Sequence, residues 1–335
     1  MKLKIDSNWI FAVMLLILIG VCVSNNQDVQ TTRTTSDHLS IMSGNSGGTY
    51  YYIAAGQAKK LREKLDGINV TTQSTSGSPV ENMTLVNQNS ANLGIVTIDG
   101  FYYAEEGDEE RGFQTPLKDL RAIQIGHTAY LYGLSLEGRG VESYWDMVGK
   151  KISVPPVGST TYYMALAVAE SYGCTEENST IIPMSSSEQA DALKDGTIDV
   201  AFMAGGIPQA TVTDLDYSSD VVFLSIDSEK LAEMNEQYPF WNSVEMDAGT
   251  YSGQKESMDC LSVNTLLVCN ANLDAELVYQ ISKTLNENTQ ELAGIHSSGA
   301  EWSFDTTEAF LDSDILKFHE GALRYYSELA GGRIE

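Results

Sequence analysis

The sequence predicts an α/β fold with mostly parallel sheets. Short β-branched or apolar runs alternate with helical patterns from residue 38 to the C-terminal region. Several of these strand–helix pairs are joined by turns rich in Gly, Ser and Thr. At 335 residues the chain can form one large domain or two medium ones, each with its own core.

Residues 1–24 stand outside this pattern. Lys2 and Lys4 precede an apolar run over 9–23, too short for a comfortable membrane span and suited to a signal-peptide core. Cleavage after Ser24 is the expected outcome, with export of the remainder. The alternatives are a lipoprotein cut before Cys22, disfavoured by Val21, and an uncleaved membrane anchor. Residues 25–37, rich in Asn, Thr, Ser and Gln, read as a flexible tether.

The periodic body begins with a strand at 38–42 and a helix at 49–65. Val70, Thr71 and Thr72 mark a strand within 68–74. A helix follows over 80–89, with Ser78 as N-cap and Pro79 at its first position. Residues 93–96 form a short buried strand, and 120–125 and 129–136 two strands around a break at Gly126-His127. A strand at 151–154 leads to a helix at 160–172 ended by Gly173. A helix at 187–194 is closed by Gly196 and followed by a strand at 198–203. Further strands are expected at 221–225 and 261–268, then helices at 274–291 and 321–329.

This order allows two lobes joined by two crossings, near 126–132 and 259–265. The expected division is 38–126 for the first part of lobe 1, 127–260 for lobe 2, and 261–335 for the return to lobe 1. A cleft between two such lobes can enclose a small ligand. Cys174, Cys260 and Cys269 remain after leader removal. Cys260 and Cys269 fall on one extended segment, too far apart to bridge, so buried free thiols are expected.

A formal net charge of -26 with no basic stripe argues against nucleic acid as a partner. No H-E-x-x-H, C-x-x-C, EF-hand or Walker pattern occurs, and no G-x-G-x-x-G follows a strand. No metal or cofactor is expected.

The informative motifs are the turns. Gly44-Asn45-Ser46-Gly47-Gly48-Thr49 opens the first long helix, and Ser74-Thr75-Ser76-Gly77-Ser78-Pro79 the second. Gly158-Ser159-Thr160-Thr161 and Ala204-Gly205-Gly206-Ile207-Pro208 open helices in the other lobe. Each sets small residues, hydroxyls and free N–H groups at the positive end of a helix, so together they can meet an anion without an arginine. Such turns also cap helices in every fold, and only their repetition in both lobes carries weight. The first turn also spells G-x-S-x-G around Ser46, a serine-nucleophile pattern. A hydrolase would need a histidine and an acid at hand, yet the turn follows the first strand and the one histidine before it is His38, with Asp37 beside it. Hydrolysis is the weaker reading. Tyr50, Tyr51, Tyr52, Tyr102, Tyr103, Tyr162 and Tyr163 cluster near the turns, as cleft wall or as core. His127 lies at the first crossing, where it meets a ligand or serves the hinge.

The ordered set of motifs resembles the TAXI-type solute-binding proteins of TRAP transporters across 39–328. It runs from Gly47-Gly48-Thr49-Tyr50-Tyr51 through Ser74-Thr75-Ser76-Gly77-Ser78, Val80-Glu81-Asn82, Asn92-Leu93-Gly94-Ile95-Val96 and Leu120-Arg121-Ala122. It continues with Gly158-Ser159, with Ala192-Leu193-Lys194-Asp195-Gly196-Thr197-Ile198-Asp199, and with Tyr238-Pro239-Phe240 and Ala248-Gly249-Thr250-Tyr251. It ends in His319-Glu320-Gly321-Ala322. The resemblance implies a two-lobed type II periplasmic-binding-protein fold and no catalysis. It implies an extracytoplasmic monomer that captures a small organic anion, a dicarboxylate or an acidic amino acid such as glutamate, for a membrane permease. A stand-alone sensor is the alternative. Departures at Pro79, Thr97, Ile98, His127 and Thr160 all fall near the cleft and bear on which ligand is bound. The expected contacts are Ser46, Gly48, Thr49, Tyr50, Ser76, Gly77, Ser78, Thr97 and Asp99 from one lobe. Ser159, Thr160, Thr161, Gly205 and Gly206 come from the other. Asp99 suits the ammonium group of an amino acid, or caps the helix that follows it.

Overall fold

Two long antiparallel strands tie the molecule together. The computed structural model describes residues 37–332 other than 45, 47 and 76–78. The expected leader, nearly all of the tether, and Ser76, Gly77 and Ser78 lie outside the described residues.

The strands are β1 (His38–Met42), β2 (Asn69–Gln73), β3 (Leu93–Thr97), β4 (Leu120–Leu136) and β5 (Lys151–Val154). Then come β6 (Thr180–Pro183), β7 (Val200–Gly205), β8 (Val221–Leu224), β9 (Asn242–Met246) and β10 (Met258–Asn270). They follow the order β2-β1-β3-β10-β4-β7-β5-β6, with β8 also on β4 and β9 also on β10. The flanks are parallel, as β1 pairs with β2 and β3, and β5 with β6 and β7. The centre is antiparallel, where β10 runs against β3 and β4 and β4 against β7.

The helices are α1 (Thr49–Lys64), α2 (Pro79–Asn87), α3 (Ile98–Glu106), α4 (Thr160–Ser171), α5 (Ser186–Asp195) and α6 (Ala210–Ser218). They continue with α7 (Ser228–Gln237), α8 (Ala275–Glu287), α9 (Thr289–Ala293), α10 (Phe304–Glu308) and α11 (Glu320–Leu329). Local chemistry sets their ends. Pro79 is the first residue of α2, where its missing N–H costs nothing. Ser185 and Glu188 close a reciprocal capping box at the start of α5, and left-handed Gly196 ends it. Asp274 caps α8 by accepting from the Glu276 and Leu277 N–H groups. The single helix expected over 274–291 is two. Asn288 leaves helical geometry, and its Nδ2 donates to the Thr284 carbonyl.

The break expected at Gly126-His127 is absent, and β4 runs through it. Gly126 serves a different need: a Cβ there would stand 2.3 Å from the Trp302 indole. The irregularity falls on β4 itself, where Gly126 and His127 together stand opposite Thr265 and Ile123 is an extra residue between Gln124 and Ala122. The β10/β4 register shifts between Asn264 and Leu266 and again between Leu267 and Val268.

Apolar packing changes at the same place. One core takes Ile41, Ile53, Ile95, Ile123, Ile125, Leu266, Leu267 and Tyr326. A second takes Ala129, Val154, Met164, Phe202, Leu261 and Val263, and a third Leu134, Leu193, Met203 and Cys260. Each long strand thus enters one lobe as it leaves the other. The α/β, two-lobed class predicted from the sequence is the observed one, but the sheet is mixed rather than mostly parallel, because the two long strands run antiparallel to all their neighbours. Cys174, Cys260 and Cys269 are free and buried, the last two on β10 as expected.

Candidate functional site

Between the lobes lies a cavity of ≈ 140 Å³ whose wall is built largely from helix starts. Gly44, Gly48, Thr49 and Tyr50 bring the first turn of α1, and Ser159, Thr160 and Thr161 that of α4. Ser185 and Ser186 bring α5, and Gln209, at the N-cap position, brings α6. Ala129, Pro155, Pro156, Gln189, Phe202, Ala204 and Gly205 complete the wall. None of these residues is ionised at neutral pH. The positive field comes from backbone N–H groups that lack helical partners. A wider groove of ≈ 450 Å³ adjoins at Thr49 and Gln209 and reaches Tyr52 and His296.

The hydroxyls at the helix starts have local duties. Ser159 Oγ donates to the Pro156 carbonyl at 2.7 Å and accepts from the Tyr162 N–H at 3.1 Å. Ser185 is engaged with Glu188. These bonds fix the turns, so the peptide groups behind them are held before any ligand arrives. Gly205 has φ +145, a conformation other residues rarely adopt, where β7 ends on the wall. The Tyr50 phenol is pushed upward in pKa by burial first and by the Asp99 charge second, and stays protonated.

The lobes touch outside the cavity. Thr97 Oγ1 and Thr160 Oγ1 are 2.8 Å apart. Trp241 Nε1 donates to Asp99 Oδ2 at 3.0 Å, and the Tyr163 hydroxyl donates to the Glu110 carbonyl at 2.5 Å. The Tyr102 and Phe240 rings lie 4.5 Å apart, and the Arg111 guanidinium sits 5.5 Å from the centre of the Tyr163 ring. Burial raises the Asp99 carboxyl pKa, while the Trp241, Thr97 and Gly100 donors and Arg111 pull it back.

Of the expected contacts, Gly48, Thr49, Tyr50, Ser159, Thr160, Thr161 and Gly205 stand on the wall. Thr97 and Asp99 lie behind it, with the Asp99 oxygens accepting from Gly100 and Trp241. Gly206 is wedged where a Cβ would meet Ser298 Oγ at 2.4 Å. Ser46 occupies an exposed turn. His38 bonds instead with Asn69 and Thr71, and His127 with Trp302 and Thr265. The sequence reading missed Gln189, Gln209, Phe202, the two prolines and the start of α5. Only the last had a visible signal, the S-x-x-E spacing of Ser185 and Glu188.

Residues 41–330 match the NMT1-like family. Among solved structures, the chain is similar to the periplasmic binding protein BugD, with a TM-score of 0.54 and 12% identity over 89% of this chain and 98% of that one. A protein of Bordetella bronchiseptica RB50 gives a TM-score of 0.52 and 15% identity, covering 88% and 98%. PhnD1 from Prochlorococcus marinus MIT 9301, in complex with methylphosphonate, gives 0.51 and 10%, covering 80% and 91%. At these identities the likeness is one of fold.

Proposed function

This chain belongs to the NMT1-like family, and on that premise we propose that it is an extracytoplasmic solute receptor for a small organic anion. The observation that carries the reading is the meeting of four helix starts from two lobes on one cavity with no cationic side chain. The ligand is a dicarboxylate or an acidic amino acid such as glutamate, delivered to the membrane permease of a TRAP transporter. The PhnD1 structure, which holds the small anion methylphosphonate, supports the ligand's charge. The 1–24 leader, read from sequence, supports export.

The mechanism is binding without chemistry. Ligand enters an open cleft, is held by N–H groups of both lobes, and draws the population toward the closed form by its higher affinity for that form. We place the hinge where the long strands change core, at 126–128 and 264–265. Residues 38–126 and the C-terminal return form one lobe, and the residues between form the other. Thr49, Tyr50, Thr160, Thr161 and Gly205 are the proposed contacts. Calorimetric titration of the purified protein with glutamate, succinate and malate tests this. Saturable one-to-one binding of at least one acid is expected, weakened in Gly205→Val. Absence of binding across the panel would overturn it.

A further inference from the structure

The groove that adjoins the cavity is the larger of the two spaces, ≈ 450 Å³ against ≈ 140 Å³. Thr49, at the start of α1, and Gln209, at the N-cap of α6, line both, so one ligand can occupy the two together. The lobes meet beside the groove. Ser297 Oγ donates to the Ile207 carbonyl at 3.4 Å, and a Cβ on Gly206 would collide with Ser298 Oγ. A ligand lying here therefore touches both lobes and favours their closed arrangement.

One lobe gives the groove Tyr52 and Ile295, which are 44% and 41% exposed, and His296 beside them. The Tyr52 and His296 rings lie 6.3 Å apart at 22°, nearly parallel. Ile295 is seated on Gly56, where a Cβ would stand 2.8 Å from Ile295 Cδ1. His296 Nδ1 accepts from the Ser298 N–H at 3.1 Å, which puts the hydrogen of the neutral ring on Nε2. These groups form a flat, largely apolar surface beside the helix starts. A single exposed hydrophobe is ordinary, but a cluster of them in a concave space that opens from a binding cavity marks a ligand surface.

The other lobe contributes Pro208, Ala210, Thr213 and Asp214. Among the described residues of the groove none is Lys or Arg, and Asp214 carries a negative charge. A second anionic group lying here would meet that carboxylate with no cation to offset it. An uncharged ring suits the groove on both counts, since it covers the apolar surface and brings no charge.

We propose that this groove is a second subsite and that the ligand is a small acid bearing an uncharged aromatic arm. The acid group sits at the helix starts of the cavity, and the arm passes between Thr49 and Gln209 onto Tyr52 and Ile295. This deepens the receptor reading above and rests on it.

The test is calorimetric titration of the purified protein with two matched series: succinate, methylsuccinate and benzylsuccinate, and N-acetylglutamate and N-benzoylglutamate. In at least one series the ring-bearing acid is expected to bind roughly tenfold or more tighter than its methyl or acetyl counterpart, the lower end of what burying a phenyl ring contributes. A para carboxylate on whichever ring gives the gain should remove most of it. The gain should also shrink several-fold in Tyr52→Ala and in Ile295→Ala, read as the ratio of the two affinities within each variant so that a general loss of binding cancels. Ring-bearing acids bound no tighter than their counterparts in both series would overturn this inference and leave the receptor reading standing. A gain unchanged in both variants, or a carboxylated ring bound as tightly as the plain one, would do the same. Binding of no member of either series, nor of glutamate or malate, would overturn the receptor reading and this inference with it.

Discussion

His127 makes the fold acid-sensitive by an amount that can be worked out. The ring is 0% exposed on β4, at the strand crossing between the lobes. Its Nδ1 accepts from Trp302 Nε1 at 3.2 Å and lies 3.1 Å from Thr265 Oγ1. Burial, with a smaller contribution from His296, lowers its pKa from 6.5 to about 3. The folded state thus keeps a neutral ring where the unfolded chain is already protonated. The stabilisation is complete above the unfolded value near 6.5 and is lost as pH falls toward and through 3. Between pH 7 and pH 4 this linkage amounts to ~3 kcal/mol, and to ~5 kcal/mol once the folded state also titrates. Urea unfolding at pH 7, 5.5 and 4 should show it in a comparison of wild type with His127→Asn. Asparagine can accept from Trp302 and does not titrate. The variant should be weaker at pH 7 but lose about 3 kcal/mol less on going to pH 4. His319 and His296, both lowered by burial, and the carboxylates supply a slope common to the two proteins. Parallel stability curves would refute the claim that the buried neutral ring drives the acid response.

Three further outcomes follow from the packing. Trp241→Phe removes a donor from the buried Asp99 carboxylate and should cost about 1–3 kcal/mol in urea unfolding, with weaker ligand binding because the contact joins the lobes; an unchanged midpoint and affinity would count against it. Gly126→Ala drives a methyl into the Trp302 indole, 2.3 Å away, and should destabilise by about 1–3 kcal/mol, again read from the urea midpoint. Burial raises the Cys260 thiol to about 12 and pushes Cys269 up as well, so a thiol reagent at pH 8 should label them only after unfolding. Labelling of the native protein at a free-thiol rate would contradict the burial.

What could be read from the sequence was local. The strand Lys151–Val154 and the end of α5 at Gly196 follow from residues within a few positions of each. So do the helix starts at Thr49 and Thr160, whose turn chemistry is explicit. Gly126 marked the right place but not the right feature, a bulge inside one continuous strand rather than a break between two. Its reason here is Trp302, far along the chain, and no local pattern carries that. The strand Asn242–Met246 escaped notice because it buries only Met246. Helix α7 did so because it buries only Leu231 and Met234, too few to set a period. In the site, Gln189, Phe202 and Gln209 face the cavity through tertiary placement of their elements, which spacing does not reveal. Asp99 stood out as a carboxylate near an anion site. Its partner Trp241 is 142 residues away, and only the fold brings them together.

The claim that this cleft takes a small organic anion is tested most directly by thermal unfolding of the purified protein. It would be run against dicarboxylates, keto acids, amino acids and model esters. A ligand that binds only the folded form raises the melting temperature as its concentration rises. The account predicts a saturable rise with at least one acid and no turnover of it. No rise with any acid, together with ester cleavage that disappears in Ser46→Ala, would contradict it.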